Sequence, residues 1–138
     1  MLRLEAISVK IADTPILHNV SFSLRPGAAT VLVGRNGAGK TTLLRTVMGL
    51  LKPISGKIFL DDNNVVDKPG HERTSLGLGY APEDRRLISA FSIEENILLP
   101  LIALGKGKAE QKETLENIYD LLPQLKTLKD RPAGSVSG

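Results

Sequence analysis

The sequence predicts an α/β fold in which an antiparallel part precedes a core where a buried strand runs into a helix. Three features support this: polar and apolar residues alternate over the first 24 residues, residues 28–33 are almost continuously apolar, and a helical stripe starts at Thr41. The chain has 138 residues, of which 41% are hydrophobic and 24% charged. This size and composition fit about one globular domain.

The first 24 residues predict two antiparallel strands. The alternation from residue 2 to residue 11 changes phase near Ala6, which is typical of a bent or bulged strand. A turn is predicted at residues 12–15, and the alternation resumes at residues 20–24, as in a half-buried strand.

The next segment predicts the core. Residues 28–33 resemble a strand that is covered on both faces in a parallel sheet, and Gly49 marks the end of the following helix. Further short strands are predicted at residues 58–60 and 76–80.

The second half of the chain predicts helices. Ser92 and Glu95 have capping-box spacing at a helix start, and Pro100 is expected to limit that helix. A second helix, which Pro123 is expected to stop, has an apolar stripe of Leu115, Ile118, Tyr119 and Leu122.

A glycine-rich segment between the predicted strand and helix fits the pattern of glycine, four residues, then Gly-Lys-Ser/Thr. Glycines let backbone N–H groups converge on phosphate oxygens, and the helix start adds free amides. Lys40 would reach the β- and γ-phosphates, and Thr41 would offer its hydroxyl to Mg²⁺. The predicted phosphate-binding residues are Gly34, Arg35, Asn36, Gly37, Ala38, Gly39, Lys40, Thr41 and Thr42.

Two other polar groups leave alternatives open. Asp61 follows an apolar run, as a metal-binding acid would, but Asn63 and Asn64 favour a polar turn. Arg85 and Arg86 are equally compatible with a solvated pair and with recognition residues in a loop.

Composition excludes several classes of protein. The net charge is only +3 and the charges are mixed along the chain, so we expect no nucleic-acid partner. The chain has no cysteine for a disulfide or thiolate metal site. No apolar stretch approaches the roughly 20 residues that cross a bilayer, and no secretory signal precedes residue 30. A cytoplasmic location is expected.

The combination of motifs resembles the ATP-binding subunits of ABC transporters, and most closely the branched-chain amino acid (Liv-type) importer ATPases. It is formed by residues 34–44, 76–87 and 92–97. The resemblance implies a P-loop NTPase fold with a RecA-like core, an N-terminal antiparallel β-part and the start of a helical subdomain. On this basis we expect residues 1–86 to form the β-part with the first portion of the core, and residues 87–138 to begin the helical subdomain.

The resemblance also implies roles for individual residues. The phosphate loop corresponds to Walker A, and Glu83 takes the position of the Q-loop glutamine, which touches Mg²⁺ or water. Ile11 takes the place of an aromatic residue that stacks on adenine, so a weaker contact with the base is expected. Ser137 and Gly138 match the signature motif, which binds the ATP of the opposite subunit. The segment that meets the membrane subunit includes Arg85, Arg86 and Leu87.

The implied function is an ATP-binding component that couples ATP binding and hydrolysis to amino acid import. Its implied cofactors are ATP and Mg²⁺, and its implied partners are the membrane subunits and a second ATP-binding subunit at the inner face of the membrane. The Walker B acids, D-loop and switch histidine of the family would follow residue 138, so these residues are expected to bind nucleotide without hydrolysing it. The alternatives are a non-hydrolytic nucleotide-responsive scaffold and a small P-loop kinase that uses Asp61.

Overall fold

The computed structural model describes residues 1–84 and 86–136. The chain divides into two compact units, Met1–Tyr80 and a second unit that starts at Ala81. The expected division into residues 1–86 and 87–138 stays a prediction. Within the described residues, no helix has both the length and the apolar character needed to cross a membrane.

The first unit is built on an antiparallel sheet. Its strands are β1 (Leu2–Ile11), β2 (Thr14–Leu24), β3 (Ser55–Leu60) and β4 (Asn63–Asn64), in the order β2-β1-β3-β4. The predicted hairpin and the predicted strand at residues 58–60 are confirmed.

The predicted irregularity of β1 is also confirmed. Ala6 has a left-handed φ of 52°, and the pairing with β2 shifts register between Leu4 and Ile7. Gly56 of β3 faces this bulge with φ 100°, and a Cβ atom there would lie 2.6 Å from the carbonyl oxygens of both Glu5 and Ala6. The bulge therefore needs a residue without a side chain on the neighbouring strand.

Helix α1 (Lys40–Val47) packs against one face of the sheet, and a short helix, α2 (Gly70–Ser75), follows β4. The strands and the helix share one core, because every second residue of the strands faces the apolar stripe of α1. The buried core residues are Leu4, Ile7, Val9, Leu17, Leu43, Val47, Ile58 and Val65.

Two strand predictions are wrong. Residues 28–33 form no strand, and the side chains of Val31 and Val33 are 80% and 81% exposed. Residues 76–80 form no strand either, and Leu76 is 45% exposed. A continuous apolar run becomes a buried strand only where neighbouring strands supply hydrogen bonds and covering side chains, and every strand pair of the described residues is antiparallel and lies elsewhere.

The second unit is helical, as predicted. It contains α3 (Ile93–Ala103), α4 (Lys108–Leu121), α5 (Pro123–Leu128) and a 3₁₀ turn at Ala133–Ser135. The capping box is confirmed, since Glu95 N–H donates to Ser92 Oγ at 3.1 Å and Ser92 N–H donates to Glu95 Oε2 at 2.7 Å.

The prolines of this unit have different effects. The prediction that Pro100 limits α3 is wrong, because the helix continues to Ala103 and Leu104 N–H still bonds the Pro100 carbonyl at 3.0 Å. Proline has no N–H to donate, but the residues after it keep theirs, so the turn beyond Pro100 can still form helical hydrogen bonds. The prediction for Pro123 is confirmed: α4 ends at Leu121, and Pro123 starts α5, where a missing N–H costs nothing.

Candidate functional site

The predicted phosphate loop is a series of turns that leads directly into α1. Gly37 and Gly39 have φ values of 83° and 88°, which L side chains rarely adopt. Ala38 N–H bonds the Arg35 carbonyl at 3.1 Å, and Leu43 N–H bonds the Gly39 carbonyl at 2.8 Å as the first helical hydrogen bond. The two glycines thus allow the chain to reverse and enter the helix within a few residues.

The loop is anchored at one end and open at its tip. A Cβ atom at Gly39 would lie 2.7 Å from Leu17 Cδ2 and 3.3 Å from Ile16 Cγ2, so the start of α1 is in direct contact with β2. A Cβ atom at Gly37 would meet nothing within 4 Å. The tip therefore leaves space for a ligand beside the backbone.

Unpaired amides point out of the start of α1. Within the described residues, the N–H groups of Lys40, Thr41 and Thr42 have no hydrogen-bond acceptor. No side chain caps the start of the helix, where the capping position is Gly39. Free amides and the helix dipole concentrate positive potential at this end, where α1 has no acidic residue in its first turn. This is the arrangement that binds phosphate.

Lys40 adds a full positive charge. Its ammonium group donates to the carbonyls of Gly34 at 2.7 Å and Arg35 at 2.9 Å, so the side chain folds back over the loop. These two hydrogen bonds hold the charge beside the free amides.

The residues present fit Mg²⁺ that is bound together with phosphate. The exposed Thr41 hydroxyl has no hydrogen-bond partner in the described part of the chain, and no three His, Asp or Glu residues cluster there. Mg²⁺ keeps several waters and needs few protein oxygens beside those of the phosphates, so one hydroxyl is a sufficient protein ligand from this loop. Glu83 is exposed in a turn near the start of the second unit, and its role toward Mg²⁺ stays a prediction.

Ile11 offers an apolar surface at the end of β1. It pairs with Thr14 of β2, two residues before the Ile16 side chain that approaches Gly39, and it is 47% exposed. The hairpin thus brings this side chain toward the end of the sheet that contacts the phosphate loop. Its contact with adenine stays a prediction.

Three predicted site residues, Arg85, Ser137 and Gly138, lie outside the described residues. Arg86 Nε donates to Asp84 Oδ2 at 2.7 Å, and the Arg86 side chain is 73% exposed. Leu87 is 57% exposed.

Asp61 lies in the tight turn between β3 and β4. It has a left-handed φ of 52°, its carboxylate pairs with the Met1 ammonium, and its N–H bonds the Met1 carbonyl at 2.7 Å. These contacts favour the turn interpretation over a metal-binding acid.

Sequence reasoning missed Arg73. It lies in the polar α2 and is only 1% exposed, with its guanidinium bonded to backbone carbonyls of α1 and of the segment before α2. No sequence signal distinguishes it from a solvated arginine, because the residues around it are polar.

Comparison with known proteins identifies the family. A family model described as ABC transporter matches residues 17–138. The chain is 33% identical to a probable branched-chain amino acid transport ATP-binding protein, LivF, of Archaeoglobus fulgidus, and 30% identical to the high-affinity branched-chain amino acid transport ATP-binding protein BraG of Pseudomonas aeruginosa. Each match covers all of this chain and 58% of the relative, so the chain spans less than two thirds of the length of these curated relatives.

Solved structures agree with this assignment. The structure of an ATP-binding subunit of an ABC transporter matches with a TM-score of 0.86 and 26% identity, covering 99% of this chain and 55% of the other. An ATP-binding cassette in its ADP conformation matches with a TM-score of 0.76 and 28% identity, covering 99% of this chain and 59% of the other. The shared fold is the P-loop NTPase fold of these ATPases. The chain therefore belongs to the ABC transporter family, in which it matches the ATP-binding subunits.

Proposed function

We propose that this chain binds MgATP through its phosphate loop and serves as the ATP-binding component of an importer for amino acids. The observation that carries the proposal is the first turn of α1, where the free amides of Lys40 to Thr42 and the Lys40 ammonium converge beside an open glycine loop. The solute class is supported by the two branched-chain amino acid transport relatives.

In this proposal each group has a distinct task. The amides of α1 would bind phosphate oxygens, Lys40 would neutralise charge on the β- and γ-phosphates, and the Thr41 hydroxyl would be a ligand of Mg²⁺. The contact of Glu83 with Mg²⁺ or its water stays a prediction. Mg²⁺ supplies charge neutralisation between the phosphates when it is bound. Ile11 covers part of the base without aromatic stacking.

The proposed partners are membrane subunits and a second ATP-binding subunit. The exposed Leu87 and the charged Arg85 and Arg86 would meet the membrane subunit, and Ser137 with Gly138 would bind the nucleotide of the opposite subunit. The protein would then be attached to the cytoplasmic face of the membrane through its partners.

Substitution of Lys40 tests nucleotide binding. Lys40→Ala removes the charge at the phosphates, and we expect a loss of MgATP affinity of at least about 100-fold in a titration with a fluorescent ATP analogue. Lys10→Ala, at an exposed position of β1, is the control and should bind as the parent does. Equal affinities of the parent and the Lys40 variant would overturn the assignment.

The solute is tested separately, by uptake. Cells that depend on this gene should lose uptake of labelled leucine, isoleucine and valine when the gene encodes Lys40→Ala. Unchanged uptake of all three, together with lost uptake of another solute, would reject the amino acid assignment and leave ATP binding intact.

A further inference from the structure

Arg73 is a buried cation held entirely by backbone carbonyls. Its Nε donates to Lys68 O at 2.8 Å, and its Nη2 donates to Val66 O at 2.8 Å. Its Nη1 donates to Thr46 O at 2.9 Å and Val47 O at 2.7 Å. Because a buried charge is costly unless its hydrogen bonds are satisfied, this arrangement stabilises the fold only while all these contacts are kept.

Two of the four acceptors belong to the last turn of α1. The final carbonyls of a helix have no partners within it, and they form its negative end. The Arg73 guanidinium therefore caps α1 with a positive charge supplied by α2. Burial lowers the pKa of Arg73, and the negative charge of Asp67 partly offsets this shift. Arginine stays protonated in such surroundings.

Two glycines make room for this cap. A Cβ atom at Gly49 would lie 2.8 Å from Arg73 Nε, and one at Gly70 would lie 2.8 Å from the carbonyl oxygen of Met48. The end of α1 and the start of α2 thus approach each other at backbone distance around the guanidinium. The cap has little space in which to shift.

The other end of the same helix is the phosphate site. Helix α1 has eight residues, so the carbonyls bound by Arg73 lie only about 12 Å from the amides of Lys40 to Thr42. Helix α1 is only about two turns long, and it is held by Leu17 near its start and by Arg73 at its end. We therefore expect a change at either contact to shift the amides that would meet phosphate.

We propose that Arg73 is a positioning residue for nucleotide binding, which sets the place of the first turn of α1 through the Thr46 and Val47 carbonyls. The inference rests on the proposed function, because it concerns the same phosphate site. Lysine should not replace this residue, since its single ammonium group has three donors and lacks the planar fork that reaches the carbonyls of both α1 and the segment before α2.

The test compares Arg73→Lys with Arg45→Lys. Arg45 lies on the same helix with an exposed side chain, so its variant is a matched control. We expect Arg73→Lys to weaken MgATP binding by about tenfold, because misplacement of binding groups by about 1 Å is costly. The control should stay within about twofold of the parent.

The affinity is measured on folded protein, so that a loss of stability is not mistaken for a loss of positioning. Urea unfolding gives the stability of each variant, and the titration is made where the circular dichroism equals that of the parent. A merely structural role would lower stability but leave the dissociation constant unchanged. If Arg73→Lys is unfolded, Gly49→Ala provides the readout, because its Cβ atom would lie 2.8 Å from Arg73 Nε and therefore displaces the guanidinium without altering any charge.

The possible results separate the inference from the proposed function. Failure of the parent to bind MgATP would overturn both. If the parent binds and Lys40→Ala does not, parental affinity in the folded Arg73→Lys or Gly49→Ala variant would overturn the role of Arg73 alone. Weaker binding in the folded variant, with parental affinity in Arg45→Lys, would support it.

Discussion

Gly39 contacts Leu17 so closely that a Cβ atom at position 39 would lie 2.7 Å from Leu17 Cδ2. Since Gly39 also has φ 88°, an alanine there would be both strained and crowded. We expect Gly39→Ala to lower the free energy of unfolding by about 2–3 kcal/mol and to abolish MgATP binding. Gly37→Ala has similar φ but open space, so its cost should be about 1 kcal/mol. Equal urea midpoints for the two variants would contradict the packing argument.

Substitutions of Asp61 and Thr41 should have different effects on the Mg²⁺ dependence of ATP affinity. Thr41→Ala removes the hydroxyl at the phosphate loop, so we expect ATP affinity to lose most of its dependence on Mg²⁺, while Thr41→Ser should keep it. Asp61→Ala should leave that dependence unchanged, because Asp61 is engaged with Met1 in a turn. The measurement is ATP titration at several Mg²⁺ concentrations. Loss of the Mg²⁺ effect in Asp61→Ala would restore the metal-binding interpretation of this acid.

The capping box of α3 should stabilise the second unit. Ser92→Ala removes the acceptor of Glu95 N–H, and we expect a loss of about 1 kcal/mol in the free energy of unfolding. Ser92→Thr keeps a hydroxyl acceptor and should cost only a fraction of that. Urea denaturation followed by circular dichroism measures both, and an alanine variant as stable as the parent would show that the cap contributes nothing.

Tyr119 should make the free energy of unfolding depend on pH in the alkaline range. Its hydroxyl donates to Glu94 Oε2 at 2.7 Å; burial, together with this hydrogen bond and the Glu94 charge, raises the pKa of Tyr119 to about 12. In the unfolded chain a tyrosine has a pKa of about 10. Because the folded pKa is the higher one, the stabilisation is complete below about pH 10 and is lost between about pH 10 and 12.

Substitution of Tyr119 by phenylalanine should remove this contribution. The variant is expected to be about 1 kcal/mol less stable at pH 8, and its stability should fall less steeply than that of the parent above pH 10. Tyr80→Phe serves as the control, and its stability should change with pH as that of the parent does. Parallel curves for the parent and the Tyr119 variant across this pH range would reject the assignment.

The success of the sequence predictions depended on how local each signal was. The β1–β2 hairpin, α1 and the Ser92 cap follow from residues close in the chain, and the structure contains all of them. The strand at residues 28–33 was predicted from hydrophobicity alone, but a strand also needs neighbours, and here the valine side chains are exposed. Arg73 was missed for a related reason, since its importance comes from carbonyls more than 20 residues away in sequence.

The phosphate loop was predictable because its chemistry is contained in consecutive residues. Glycines at fixed spacing permit the turn, and Lys40 follows them directly. Contact of Gly39 with Leu17 was not predictable, because it depends on how α1 lies on the sheet. The same limit applies to Asp61, whose partner is Met1.

The close approach of Gly56 to the Ala6 carbonyl has a consequence for related proteins. The two carbonyls at the bulge of β1 occupy the space that a side chain at position 56 would need. If a relative carries a larger residue at position 56, we expect its first strand to lack this bulge, which would reverse which residues beyond position 6 are buried and which are exposed. Positions 6 and 56 should change together during evolution, although 50 residues separate them.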